Sequence, residues 1–562
     1  MKTHSYRWFT HPSVPPSIRR ELNRFSPVSQ QLLFNRGINT QAGAEFFLEA
    51  HLPDEVKYTQ LVGLKEASLR LEKAIDGNEH VAIYGDFDVD GITSAAMLKS
   101  ALTSLNGVIS TYIPHRVDEG YGLNTDAIRE LHKRGADLLL SVDCGIRAID
   151  EVKMAKELGL DVIITDHHQP GDSLPEADVV INPNRSNDPY PNKDLAGVGV
   201  AYKLLESFCL HFPQIKPEYY LDLVALGTIA DLVPLTGENR YLTRQGISCL
   251  RRPQRQGVLA LMEVAGLDPQ TIQASDISYQ LAPRLNAAGR LSSANFALEL
   301  LLEEDVYRAG RIAQEIEILN TRRKALMHEA KTKAEAIAIT EEEIPPILFA
   351  FHTDFNQGIV GLTAGHLAEK YFRPAIVGKR YEEITTASCR SIDGFNIIHA
   401  LDQHKDLFLN YGGHPSAAGF TIENENIPEL KQRLTHFSQK ALESIDLTPT
   451  LYADMEISLR DLSRDLLREI QGFNPMGVGN PQPSFITRNL IVKSCRRVGS
   501  QQNHLKLSVS DGTVTFDAIA FRLGHLYETL PPTIDILYTF EENIYRGRSS
   551  LQLNIKDIRS VE

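Results

Sequence analysis

The apolar run Val81–Tyr84 ends in three aspartates at alternate positions, Asp86, Asp88 and Asp90, within VAIYGDFDVDGITSAAML. Other segments end similarly. ADLLLSVDCG reaches Asp143, LDVIITDHH reaches Asp166, His167 and His168, and LVALGTIADLVPL carries Asp231. Taken singly, an aspartate after an apolar run is a helix cap or a turn residue. Four such features in the order D-x-D, D-C-G, D-H-H, A-D point instead to one shared site. Carboxylates gathered without cations repel one another and raise each other's pKa, a conflict that divalent metals remove. Oxygen ligands with one or two imidazoles and no thiolate favour Mn²⁺ or Mg²⁺ over structural zinc. Two such ions about 3.5–4 Å apart, bridged by a shared carboxylate, activate water and neutralise a phosphoryl group during displacement. The chemistry indicated is phosphoester hydrolysis.

These groups need a frame that brings them to one edge. From Val81 to about Val233, the strand-like runs VAIYG, VISTYIP, ADLLLSVDCG, LDVIITDHH and ADVVINP alternate with helical segments. This is the pattern of a parallel α/β sheet, whose sites lie at the carboxyl ends of its strands. Residues 1–77 read as a helical lead-in and 78–302 as the catalytic α/β domain. Residues 303–344 read as a long connecting helix, closed by Pro345 and Pro346. Residues 345–447, with ILFAFH, RPAIVGK and YGGHPSAAGF, suggest a smaller α/β domain. From 448 to 562, short alternating strands with a hairpin turn at Asp511-Gly512 suit an OB-type β-barrel.

The chain has 562 residues, 42% hydrophobic and 23% charged, enough for three or four domains. A net charge of −14 means that any polyanion site is a local basic patch or is built around metal. The five cysteines are scattered without a C-x-x-C pair, which argues against a zinc ribbon or a disulfide framework. No apolar run reaches the roughly 18 residues of a membrane span, and the N-terminus lacks the apolar core of a secretion signal. The expected compartment is the cytoplasm, without membrane association.

The motifs resemble those of the DHH phosphoesterase family and, within it, the RecJ single-stranded-DNA exonucleases. The resemblance runs through IYGDFDVDGITSAAML, PHRVDEGYGL, SVDCGI, ITDHH, LAGVGVAYKL, GTIADLVPL, LAPRLNAAGRL, SCRSIDGFNIIHAL and YGGHPSAAGF. It implies that Asp88 and Asp143 hold one Mn²⁺ and that Asp90, Asp143, His167 and Asp231 hold the other, with Asp143 bridging. Mg²⁺ is the alternative metal. Asp86 and Asp166 are further ligands or supports of ligands. Tyr84 stands where many smaller members place a histidine, which would leave one ion more exposed. His168 would face the scissile phosphate, stabilising its charge or protonating the leaving oxygen.

The resemblance also assigns substrate contacts to Arg116 and Tyr121, to Arg284, Asn286 and Arg290, to Ser388 and Arg390, and to Gly412, Gly413 and His414 of the DHH-associated domain. On their own, Arg116 reads as a surface arginine, PRLNAAGR as a salt-bridged loop and Gly-Gly as a turn. Gly197 and Gly199 read as a packing turn before a helix. In the barrel, Arg496, Arg497, Arg546 and Arg548 are candidate contacts, with Phe516, Phe521 and Tyr545 able to stack on bases if exposed. The sequence ends soon after its last strand, so the extra C-terminal domain of some members is expected to be absent.

The implied activity is 5′-to-3′ exonuclease cleavage of single-stranded DNA to 5′-mononucleotides, in DNA repair and recombination. Single-strand DNA-binding protein and a RecQ-type helicase are implied partners, and a monomer is expected. One rival is a DHH phosphodiesterase of short oligonucleotides or cyclic dinucleotides, against which the barrel and the lead-in count. The other is an inactive Cdc45-like scaffold, against which the retained Asp88, Asp90, Asp143, His167, His168 and Asp231 count.

Overall fold

A computed structural model describes residues 6–339, 343–545 and 548–561. The chain divides into two compact units, one of residues 53–233 with 241–447, the other of residues up to 52 with 234–240 and 448 onward.

The first unit contains a five-stranded parallel sheet in the order Val108–Tyr112, His80–Gly85, Leu138–Val142, Asp161–Thr165, Val179–Ile181. Val81–Ile83, Leu138–Leu140 and Val162–Ile164 are fully buried, as strands covered on both faces require. The connections leave His80–Gly85 first to one side and then to the other. This opens a crevice between its carboxyl end and that of Leu138–Val142, the usual place for a site in such sheets.

Asp88 caps the helix Val89–Thr103, its Oδ1 accepting from the backbone N–H of Asp90 (2.9 Å) and Gly91 (3.3 Å). Gly91 has no room for a side chain, since a Cβ would stand 2.5 Å from the Asp86 backbone. Two sequence expectations are corrected here. The apolar run before Asp231 is the helix Leu221–Ala230, buried from Leu221 to Ile229, with Asp231 as its C-cap; a continuous apolar run does not distinguish a buried helix from a strand. PRLNAAGR is not a loop but lies in the helix Ala282–Leu291.

The 33-residue helix Val306–Ala338 follows, capped by Asp305. A second, mixed sheet then runs in the order Phe408–His414, Ala417–Glu423, Ile384–Arg390, Ala375–Arg380, Leu348–His352. YGGH forms the end of a strand rather than a turn, with Gly412 paired to Gly419 and His414 to Ala417.

In the other unit, the strand Arg7–Thr10 pairs in parallel with Thr450–Ala453, and the helices Pro16–Glu21, Pro27–Asn35 and Gln41–Glu49 follow. The N-terminal segment is therefore not purely helical, and it divides at Leu52 rather than ending as one piece at residue 77. Ser484–Val498, His504–Ser510, Thr515–Ala520, Arg548–Ser560 and Thr533–Tyr545 close a five-stranded barrel through pairing of the first with the last. Phe485, Leu505, Leu507, Ile536, Tyr538 and Leu553 fill it. Gly512, at φ +93°, makes the expected turn, and Asp511 Oδ1 accepts from the N–H groups of Thr513 and Val514. Among the described residues, no helix is long and apolar enough to cross a membrane.

Candidate metal centre and phosphate cleft

The carboxylates converge. His167 Nε2 lies 3.3 Å from Asp143 Oδ1, 3.7 Å from Asp231 Oδ2 and 4.0 Å from Asp90 Oδ2. Asp90, His167 and Asp231 form one group whose ligand atoms lie within 4.8 Å of one another; Asp86, Asp88 and Asp143 form another, and Asp143 also groups with His167 and His168. Asp86 Oδ1, Asp143 Oδ1, His167 Nε2 and Asp231 Oδ2 are buried with no hydrogen-bond partner among the described residues. Each such atom costs about 1–3 kcal/mol, a cost that a cation among them would remove. The donors, oxygens with an imidazole, fit Mn²⁺ or Mg²⁺.

Electrostatics point the same way. Burial, then the neighbouring Asp88, pushes Asp86 up to about 8 and Asp90 up to about 7. Burial with Asp90 and Asp88 pushes Asp231 up to about 9, and Asp143 is also raised well above the usual carboxylate range. Burial and the adjacent His168 hold His167 down at about 4, so its ring is neutral, with a hydrogen bond to the Leu195 backbone orienting it.

Local backbone geometry serves this cluster. Asp143 adopts φ +61°, a conformation rare for non-glycine residues and concentrated at functional sites. The helix Gly197–Cys209 directs its first amides at Asp90: Gly197 N–H donates to Oδ2 at 2.6 Å and Val198 N–H to Oδ1 at 2.8 Å. A Cβ on Gly197 would lie 2.5 Å from Asp143 Oδ1. Gly197 thus belongs to the site, beyond the packing turn read from the sequence. A G-x-G opening a helix was the available signal, but nothing in it named Asp90 as the anion held.

Asp86 and Asp166 separate. Asp86 keeps a free oxygen in the ligand group with Asp88 and Asp143. Asp166 is fully buried and saturated, accepting from the N–H of Ile146 (2.9 Å), His167 (2.7 Å) and His168 (3.0 Å), and from His168 Nδ1 (2.7 Å). It therefore holds His168 and stands outside the ligand groups. Burial disfavours a charged His168, but the Asp166 carboxylate outweighs it and raises the ring's pKa. The contact assigns a proton to Nδ1 and leaves Nε2 for other work. The Tyr121 hydroxyl lies 3.0 Å from His168 Nδ1 and 3.4 Å from the Asp143 carbonyl.

A cleft of about 400 Å³ is lined by Asp86, Asp88, Asp143 and Asp231 together with Arg116, Tyr121, His168, Asn286 and Arg290. Arg116 lies 3.9 Å over the Phe87 ring, its Nε without a hydrogen-bond partner among the described residues. Arg290 donates to the Gly358 carbonyl at 3.1 Å and is pushed down to about 9 by burial and by the charges of Arg116, Arg323 and Arg390. Among the described residues none of these four arginines forms an ion pair, and the positive charge gathered around Arg290 suits a bound polyanion. Arg323, on the long helix, was not singled out in the sequence because helix surfaces there carry many charges.

The other expected contacts divide. Arg284 is turned away into an ion pair with Glu317 (2.6 Å). Ser388 and Arg390 share the strand Ile384–Arg390, and their side-chain tips both approach Gly361. Of the YGGH residues, His414 reaches a second cavity of about 260 Å³ that also includes Tyr121, Leu123, Ile146, Arg147, Asp166 and His168; Gly412 and Gly413 do not line it. In the barrel, Phe516 is core, whereas Phe521 is exposed beside His504. Arg496 is exposed, and Arg497 lies over Tyr527 and pairs with Glu528. Tyr545 and Arg548 are paired across neighbouring strands, and Arg546 lies outside the described residues.

A doubly covered parallel sheet with this cluster past its switch point, followed by the smaller mixed-sheet domain and the barrel, defines a phosphoesterase of the DHH class. Residues 80–228 match the DHH family N-terminal domain, 345–440 the DHHA1 domain and 453–557 the RecJ OB domain. The chain is 38% identical over 538 residues to the single-stranded-DNA-specific exonuclease RecJ of Bacillus subtilis, covering 95% of this chain and 68% of that protein. It is 35% identical to the Haemophilus influenzae RecJ, covering 92% and 94%. The crystal structure of Thermus thermophilus RecJ in complex with Mn²⁺ matches with a TM-score of 0.86 at 29% identity, covering 99% of this chain and 80% of that one. The chain belongs to the RecJ family of single-stranded-DNA-specific exonucleases.

Proposed function

We propose that this protein hydrolyses single-stranded DNA from the 5′ end, releasing 5′-mononucleotides, with two divalent cations, Mn²⁺ preferred and Mg²⁺ usable, in repair and recombination. The observation that carries the reading is the set of orphaned ligand atoms on Asp86, Asp143, His167 and Asp231, with Arg116 and Arg290, which form no ion pair among the described residues, lining the same cleft as three of these carboxylates.

In this reading Asp86, Asp88 and Asp143 hold one cation, and Asp90, Asp143, His167 and Asp231 the other. Bound there, the cations supply Lewis-acid activation of water and neutralise phosphoryl charge. The protein's own residues do the rest. Arg116, Arg290 and Arg390 bind phosphate oxygens, and Asn286 offers a further polar contact. His168, its Nδ1 fixed by Asp166, presents Nε2 to donate a proton to the departing 3′ oxygen. Tyr121 orients His168, and His414 bounds the neighbouring cavity, where a nucleoside attached to that phosphate fits.

The domain division at 302, 344 and 447 is our functional reading of the chain. So are a cytoplasmic location, a monomer, and association with single-strand DNA-binding protein and a RecQ-type helicase.

The test is digestion of 3′-labelled single strands, 5′-labelled single strands and the blunt duplex with Mn²⁺, with Mg²⁺ and with chelator. Metal-dependent release of mononucleotides from the 5′ end of single strands alone supports the reading. Hydrolysis of dinucleotides without attack on long strands would replace it with the short-oligonucleotide phosphodiesterase. Absence of any hydrolysis would replace it with a scaffold.

A further inference from the structure

The loop from Ile113 to Asn124 carries both Arg116 and Tyr121 into the cleft, yet much of it is poorly anchored by its own composition. Gly120 and Gly122 flank Tyr121 at φ +81° and +94°, each with nothing within 4 Å of where a Cβ would be. A glycine on either side of an exposed aromatic residue leaves that residue free to swing. Something else must fix it.

The structure places a carboxylate at the root of this loop. Glu119 Oε1 accepts from the Tyr112 hydroxyl at 2.5 Å and from Asn124 Nδ2 at 3.0 Å, while Oε2 accepts from the His115 backbone N–H at 2.5 Å. Three donors on three parts of the loop and its flanks thus meet on one side chain. Asn124 Nδ2 also donates to the Tyr84 hydroxyl at 3.1 Å, and that hydroxyl donates to the Gly122 carbonyl at 2.9 Å. Asn124 meanwhile caps the helix Thr125–Lys133. Tyr84 and Tyr112 are register partners at the ends of two adjacent strands, with rings stacked at 5.2 Å. The clamp therefore ties the loop to the rigid sheet on both sides of Tyr121. It also gives Tyr84 a task distinct from that of a metal-binding histidine at the same place, because its hydroxyl is committed to Gly122 and Asn124.

We infer that Glu119 is a positioning residue for the nuclease reaction: through Tyr112, Asn124 and the His115 amide it holds Arg116 over Phe87 and Tyr121 against His168. Glu119 itself is not among the residues that line the two cavities or form the ligand groups. Its loss frees the Gly120–Gly122 segment, so Arg116 and Tyr121 meet the DNA from a mobile loop, and affinity falls before metal binding does. The inference rests on the reading of the cleft as a phosphodiesterase site.

The experiment compares wild type, Glu119→Ala and Glu119→Gln in steady-state cleavage of single-stranded DNA, with Mn²⁺ binding by calorimetry and thermal midpoints measured on the same preparations. Glutamine keeps one acceptor for Tyr112 and Asn124 but sets an N–H₂ donor against the His115 N–H. The expected result is a KM about tenfold higher for Glu119→Ala, a smaller rise for Glu119→Gln, and Mn²⁺ affinity within twofold of wild type. Tyr112→Phe should raise KM in wild type but add little in the Glu119→Ala background, as partners in one network do. Wild-type KM and kcat in a folded Glu119→Ala protein would overturn the inference. So would a loss of activity that only tracks a reduced fraction of folded, Mn²⁺-binding protein. An inactive wild type would instead defeat the nuclease reading itself.

Discussion

Asp143 Oδ1 stands 3.3 Å from His167 Nε2, and neither buried atom has a hydrogen-bond partner among the described residues. One residue lies in a backbone conformation strained for aspartate, the other on a ring held neutral by burial. A pair of acceptors facing one another in this way fits a shared cation.

Replacing Asp143 with asparagine keeps the shape and removes the charge that the two proposed cation sites share. Turnover on single-stranded DNA is expected to fall at least about a thousandfold, about 4 kcal/mol of transition-state stabilisation. DNA binding, measured by fluorescence anisotropy, should stay within about threefold, because the arginines are untouched. Undiminished turnover would remove Asp143 from the centre of the site.

Asp166→Asn tests a different role. The asparagine cannot sustain the raised pKa of His168, so the acid form needed for protonating the leaving oxygen is lost at lower pH. Turnover should drop about 10²-fold or more, with the basic limb of the pH–rate profile shifted downward and Mn²⁺ affinity largely retained. An unshifted profile would show that His168 does not act as the acid.

The metal-free protein should respond to pH in an unusual direction. Asp86, Asp90 and Asp231 rise to about 8, 7 and 9 on folding, against about 4 in the unfolded chain. Between those limits the folded state binds more protons than the unfolded state, so stability falls as pH rises, down through the window of pH 7–9. Metal must displace the same protons, so its affinity climbs with pH. Scanning calorimetry of the chelated protein should give a lower Tm at pH 8.5 than at pH 6.5, and a larger Tm gain from Mn²⁺ at pH 8.5. A Tm in chelator that increased over this range would contradict the carboxylate assignments.

Arg290→Ala should weaken substrate binding without removing metal. KM is expected to rise about tenfold, and the slope of log affinity against log salt should shrink by about 0.7, the contribution of one phosphate contact on a single strand. Titrations at several salt concentrations measure both. An unchanged slope would place Arg290 outside the DNA path.

Much of this protein was legible from residue order. Aspartates and histidines at the ends of apolar runs declared a metal-dependent phosphoesterase, because packed carboxylates need cations wherever they meet. The alternation of strands and helices, and later of short strands alone, declared the parallel sheet and the barrel through their different burial periods. Partnership was not legible, since it depends on distances between residues far apart in the chain. Asp231 proved to end a helix because a buried helix and a buried strand share one apolar signature. Asp166 became the holder of His168, and Arg284 the partner of Glu317, because each charge was claimed by the nearest group that folding brought to it. Gly197 became part of the centre because its missing side chain lets Asp143 approach and its amide meets Asp90. The sequence by itself thus determined the chemistry available and the elements that carry it. Tertiary structure alone decided which groups stay unpaired and free for metal and phosphate, since pairing is settled by proximity.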